Sequence, residues 1–363
     1  MIKIITLSVL LILGLNNMTL AQSNTGEYSQ ESELSSRLST DLKQFWQQGL
    51  FSSFKGVDKT RINYAAFTSD IYQECIVLVT GRSESYLKYQ ELSFDLHQQG
   101  YNIYIIDHRG QGLSERLLKD KEKGYVNNFD DYAHDLKQFI RDIVIKNCTD
   151  NSLETNLSKP HLLAHSMGGA IAVRMMQLYP NTVKSAVLTS PMIAVNNGNI
   201  PNWLAKTIIY SGDKLDSWFN DQANYFIGQT GFSKTPFAEN ELSQSTIRYQ
   251  HFIDVYQQHK EIQLGGVTTH WLREALIANK NIFADLDKLT APILVMQSGS
   301  DTVVSNEAQN SFCQQLHQLN SISCPQGKPF TLEDAFHELM FEQDQYRTPA
   351  IRKALQWFKE HSL

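Results

Sequence analysis

The chain has 363 residues, 42% of them hydrophobic and 19% charged, and a formal net charge of −6. That composition excludes disorder over most of the length and suffices for one large core, or a core with a smaller insertion. The acidic balance excludes nucleic acid as the main partner, because binding a phosphate backbone needs a basic surface.

The first residues carry one lysine, Lys3, then an apolar run from Ile4 to Leu15, then a polar stretch closing on Thr19, Leu20 and Ala21. This is the layout of a signal peptide over residues 1–21, cleaved after Ala21. The competing reading is an N-terminal membrane anchor, for which the run falls short of the ~20 apolar residues that a membrane span needs. No cysteine follows it to carry a lipid anchor. The expected destination is therefore outside the cytoplasm, periplasmic or secreted, and compatible with peripheral membrane association. Residues 22–55 read as a polar arm, with "QSNTGEYSQESELSSR" serine-rich and loose.

From Cys75 the pattern tightens. "CIVLVTG", "YNIYIIDHRG", "HLLAHS", "SAVLTS" and "APILVMQSGSD" are short, near-continuous apolar runs, each stopped by a polar or glycine turn. Such runs predict strands buried on both faces, as in a parallel sheet covered by helices. Between them, Phe129, Tyr132, Leu136, Phe139, Ile140, Ile143 and Val144 recur at helical spacing. A second helix runs from Met167 to Pro180, and "RTPAIRKALQWFKEHSL" predicts a closing amphipathic helix. The alternation predicts an α/β fold with a doubly wound, mostly parallel sheet, its core formed by residues 56–193 and 271–363. Regularity lapses over residues 194–270, which predict a helical cap whose aromatics Trp203, Trp218, Phe219, Tyr225 and Phe226 are candidates for lining a substrate site. The alternative is that these rings only form the cap's own small core.

The four cysteines, Cys75, Cys148, Cys313 and Cys324, allow three complete pairings. Cys75 opens an apolar run and is expected to be a reduced core residue. Cys313 and Cys324, close together near a helix-to-strand turn, are expected to be bridged. Their spacing is not that of a zinc site.

"LLAHSMGG" places a lone hydroxyl, Ser166, where an apolar strand meets a helix start. A sharp strand-to-helix turn there exposes Oγ at the helix N-terminus and crowds the neighbouring backbone. The positions two before and two after must then be small, as Ala164 and Gly168 are, with Ala164 replacing the first glycine of the G-x-S-x-G pattern. A serine hydroxyl needs a base, and the base a carboxylate to orient it. Asp301, ending "APILVMQSGSD", and His337 in "FHELMF" supply them in the chain order Ser, Asp, His, with Asp334 as the rival carboxylate. The backbone N–H groups of Met167 and of Arg82, after Gly81 in "VLVTGRSESY", are the candidate oxyanion donors. A helix cap at Ser166 and an ordinary turn at Asp301 are the competing readings.

Together "GRSESYLKYQEL", "IIDHRGQGLSERLL", "LLAHSMGGAIA", "SGSDTVVS" and "FHELMFE" resemble the bacterial lysophospholipases, a branch of the α/β-hydrolases that includes the monoacylglycerol lipases. The likeness runs from Cys75 to the C-terminus and is thinnest across the cap. It implies that Glu84 and Tyr86 match positions that brace the oxyanion loop. Thr80-Gly81 stands where many relatives have His-Gly, so the bracing histidine is missing. The expected function is hydrolysis of the acyl ester of a lysophospholipid or monoacylglycerol through an acyl-enzyme, with no metal and no cofactor. The expected partner is that lipid-like monoester, and the oligomeric state is left open. The alternatives are a short-chain esterase or aminopeptidase of the same fold, and a lipid-binding module without catalysis.

Overall fold

The computed structural model describes residues 28–148, 159–195, 201–220 and 222–362. The expected signal peptide at residues 1–21 lies outside the described residues. In chain order the elements begin with α1 (Glu31–Arg37), α2 (Asp41–Gln47), β1 (Leu50–Lys55), β2 (Arg61–Phe67), β3 (Cys75–Val79), α3 (Gln90–Gln98) and β4 (Asn102–Ile106). Next comes α4 (Asp130–Phe139), which continues through a π-helical turn at Ile140–Val144 into α5 (Ile145–Asn147). Then follow β5 (His161–His165), α6 (Met167–Leu178), β6 (Ala186–Thr189), α7 (Asn202–Phe219), α8 (Thr246–Gln258) and α9 (Thr269–Ala284). The chain closes with β7 (Ile293–Ser298), α10 (Asn306–Leu319), β8 (Phe330–Leu332) and α11 (Asp344–Glu360).

The strands form one sheet in the order β1-β2-β4-β3-β5-β6-β7-β8. The six strands from β3 to β8 run parallel, while β1 and β2 add an antiparallel margin. The continuous apolar runs follow from the two-residue period of a strand covered on both sides. In β3, Cys75, Val77 and Val79 pack with α4, α6 and α9, whereas Ile76 and Leu78 pack with α3 and α11. A polar residue at any of these positions would be stranded without water on either face.

Two expectations are corrected. The stretch from Tyr28 to Arg37 is not loose: Tyr28, Ser29 and Leu34 are buried. The N–H and hydroxyl of Ser29 donate to Asp95, whose other oxygen is bound by Arg347 at 2.7 Å. The N–H of Glu31 donates to Asp344, and Ser245 donates to the Glu31 carboxylate. The polar composition that suggested a loose arm is thus a set of long-range partners for buried charges. Cys75, in turn, is not a reduced core residue. It is buried as expected, but it is bridged to Cys148, just after α5, across 73 positions of sequence. The expected bridge between Cys313 and Cys324 is present.

Candidate active site

The turn from β5 into α6 puts Ser166 at φ 51° and ψ −119°, a conformation that costs a residue with a side chain of order 1–3 kcal/mol and persists only where its surroundings enforce it. The surroundings are visible at two glycines. A Cβ on Gly168 would lie 2.3 Å from the Val79 carbonyl oxygen and 2.5 Å from that of Thr80, and one on Gly169 would lie 2.6 Å from Pro191 Cβ. The helix start therefore presses directly against the end of β3. That contact sets the loop after β3 beside the serine.

Asp301 and His337 arrive at the same edge from the ends of β7 and β8. His337 Nε2 lies 2.9 Å from Ser166 Oγ, and its Nδ1 lies 2.7 Å from Asp301 Oδ2. The other oxygen, Oδ1, accepts the N–H groups of Val303 and Val304 at 2.8 and 3.1 Å. The carboxylate is thereby pinned with one oxygen left for the imidazole. Asp334, the rival, is exposed and has no bond to His337. In this arrangement Nδ1 donates to Asp301, and Nε2 is free to take the serine proton.

The loop after β3 is held without the missing histidine. The Thr80 hydroxyl donates to the Ile106 carbonyl, and Gln111 Nε2 donates to the Gly81 carbonyl at 2.7 Å and to that of Glu84. The Gly81 N–H and the Tyr89 hydroxyl both donate to Glu84 Oε2. Tyr86 contributes through its backbone N–H, which donates to buried Asp107. Arg82 follows on the cavity wall, and Met167 opens α6, where no preceding helical carbonyl can accept its N–H.

On the same cavity wall lies a buried charge cluster that the sequence did not announce. Lys88 Nζ bonds Glu84 at 2.7 Å and Glu338, the neighbour of His337, at 2.5 Å. Burial opposes charge on Glu84, but Lys88, His165 and the hydrogen bonds from Lys88 and Tyr89 outweigh it and hold the carboxyl at about 2. Glu338 is pushed up by burial, with Glu84 adding repulsion against the pull of Lys88. Glu84, His165 and Glu338 bring ligand atoms within 4.8 Å of one another, a set that could hold a cation. The position is already served by the Lys88 ammonium. His165, whose ring centroid is 4.8 Å from that of His337, is driven down to about 3 by burial, with the charge of Lys88 adding to the effect against the pull of Glu84. It stays neutral at pH 7 and adds no repulsion to a charged His337.

Ser166 and His337 open into a cavity of about 660 Å³. Met192, Ile209, Phe226, Leu242, Phe252 and Val304 form much of its apolar wall. Of the aromatics expected here, only Phe226 lines it. Trp203, Trp218 and Phe219 point outward with 67–78% exposure, and Tyr225 is half-buried with Lys123 over its ring. Helix α7 reaches the cavity instead through Ala205, Ile208 and Ile209.

The family model described as serine aminopeptidase, S33, matches residues 71–344. The chain is 34% identical to lysophospholipase L2 of Escherichia coli K12 over 88% of its own length and 91% of that protein. It is 28% identical to a probable lysophospholipase L2 of Haemophilus influenzae over 77% of its length and 82% of the relative. In fold it is similar to a monoglyceride lipase from Saccharomyces cerevisiae, with a TM-score of 0.65, 16% identity, and 86% and 95% of the two chains covered. The chain belongs to the serine aminopeptidase S33 family of α/β-hydrolases, as a relative of lysophospholipase L2 and the monoglyceride lipases.

Proposed function

We propose that the chain hydrolyses the acyl ester of lipid-like monoesters, lysophospholipids first and monoacylglycerols second, through an acyl-enzyme on Ser166. The observation that carries this reading is the hydrogen-bonded series Ser166, His337 and Asp301 opening into a largely apolar cavity. His337 takes the serine proton as Oγ attacks the acyl carbonyl, and returns it to the leaving alcohol. Asp301 fixes the tautomer and stabilises the imidazolium. The N–H groups of Arg82 and Met167 receive the oxyanion. Water then attacks the acyl-enzyme by the same route, releasing the fatty acid. An acyl chain in the cavity gains about 0.8 kcal/mol for each buried CH₂, which favours long-chain esters over short ones.

The relatives' names support the ester reading, and the largely apolar lining of the cavity supports a lipid over a peptide. The test is a panel of lysophosphatidylcholine, monoolein, p-nitrophenyl acetate and proline amides, with product analysis and a Ser166→Ala control. Release of fatty acid from the two lipids at rates above the acetate is expected. Preference for the amides would instead support an aminopeptidase, and binding of lipid without cleavage a non-catalytic module.

Export belongs to the same reading. It is supported by the signal-like residues 1–21 and by two disulfides, which persist in oxidising compartments. Amino-terminal sequencing of the mature protein from a cell that expresses the full chain is expected to begin at Gln22. An unprocessed N-terminus would contradict cleavage.

A further inference from the structure

Among the described residues two cations, Arg82 and Lys88, line the cavity, and they differ in one respect. Lys88 is matched by the carboxylates of Glu84 and Glu338. Arg82 is matched by none: among the described residues no carboxylate pairs with its guanidinium. Its Nη2 donates to the Gly265 carbonyl, its Cζ lies 5.6 Å from the Trp271 ring centroid, and its buried Nε has no acceptor. Gly124 leaves the space, since a Cβ there would lie 3.0 Å from Nη2. Burial lowers this guanidinium to about 10, so at neutral pH it remains a cation held partly out of water. A buried donor left without an acceptor, on a charge left without a counter-ion, is unfavourable until an anion arrives.

The geometry points to Arg82 as the recognition site for the substrate's phosphate, which makes its side chain a determinant of specificity for lysophospholipid over neutral monoacylglycerol. The inference rests on the ester-hydrolase reading above. Arg82 lines the same cavity as Ser166 and His337, and in the reading above its backbone N–H receives the oxyanion, so its side chain starts beside the scissile carbonyl. In a lysophospholipid only the glycerol carbons separate the ester from the phosphate, a span within an arginine's reach. The guanidinium presents a fork suited to phosphate oxygens, whereas a neutral glycerol offers it no charge.

The experiment compares wild type, Arg82→Met and Arg82→Lys on lysophosphatidylcholine, lysophosphatidylglycerol and monoacylglycerol carrying the same palmitoyl chain, each below its critical micelle concentration. The readout is the ratio of kcat/KM for each phospholipid to that for monoacylglycerol, because disturbance of the shared oxyanion loop cancels in that ratio. In Arg82→Met it is expected to fall about ten- to hundredfold, mainly through KM and alike for both head groups, with partial recovery in Arg82→Lys. An unchanged ratio overturns the assignment, whether or not the absolute rates fall, and leaves Arg82 with a structural part through Gly265. A parallel measurement needs no variant: calorimetry of wild type with hexadecyl ether analogues, one bearing glycerophosphocholine and one bearing glycerol. Tighter binding of the phosphate-bearing ether by at least tenfold is expected, and equal binding overturns the site. Should wild type cleave neither lipid while still preferring the phosphate-bearing ether, the hydrolase reading falls and the phosphate site stands.

Discussion

Asp301 gives one carboxylate oxygen to the backbone of Val303 and Val304 and the other to His337 Nδ1 at 2.7 Å, so the imidazole meets a carboxylate that cannot turn away from it. Replacing Asp301 by Asn keeps the size and the backbone bonds but can present an N–H to Nδ1, which favours the tautomer with its proton on Nε2. That proton faces Ser166. The expected result is a fall in kcat for ester hydrolysis by roughly a thousandfold to ten-thousandfold, with little change in the thermal midpoint. A loss below tenfold would separate Asp301 from the proton relay.

The pressure of α6 on β3 gives a stability prediction. Gly168→Ala sets a methyl 2.3 Å from one backbone carbonyl oxygen and 2.5 Å from the next, and neither atom is the end of a flexible side chain. The chain must separate α6 from β3. Denaturant unfolding should show a loss of about 1–3 kcal/mol, and activity should fall further because the oxyanion loop is carried by the same contact. An unaltered midpoint would mean that the elbow has more freedom than its φ of 51° implies.

His165 predicts a pH dependence of stability. Its pKa is near 3 when folded, chiefly through burial, against an ordinary value of 6.5. Between those values the unfolded chain holds one more proton than the folded one, so this residue makes stability rise with pH by up to about 1.4 kcal/mol per unit. The contribution is fully present above about 6.5 and lost as pH falls toward 3. His165→Asn should flatten the slope of unfolding free energy between pH 4 and 6 by about that amount. Identical slopes for the two proteins would refute it.

Denatured, unreduced protein should show no titratable thiol, since Cys75 pairs with Cys148 and Cys313 with Cys324. The Cys75–Cys148 bridge spans 73 positions, and its removal by paired serine substitutions should cost about 2–4 kcal/mol. Two free thiols would show that one bridge does not form.

The central strands and the serine, aspartate and histidine were legible because each is announced locally, by a doubly buried apolar run or by a residue type at a turn. β1 was not, since most of its residues are exposed at the sheet margin and its sequence "LFSSFK" lacks a buried face. β8, three residues long, is too short to show a period. The N-terminal stretch was misread because Ser29 and Glu31 find their partners on Asp95, Ser245 and Asp344, which no local pattern reveals. On α7 the helical period identifies two faces but not which of them turns inward. Aromatic character suggested Trp203 and Trp218, whereas the cavity takes Ala205, Ile208 and Ile209. Lys88 lay in plain view in "SYLKY", yet its meaning depends on Glu338, 250 positions away.

Everything said of catalysis depends on Ser166 being the group made reactive by His337. Mass-spectrometric mapping of the folded protein after reaction with a fluorophosphonate tests this most directly. The account predicts a single adduct on the peptide containing Ser166, abolished in His337→Ala. An adduct on another residue, or labelling of Ser166 that persists undiminished without His337, would contradict it.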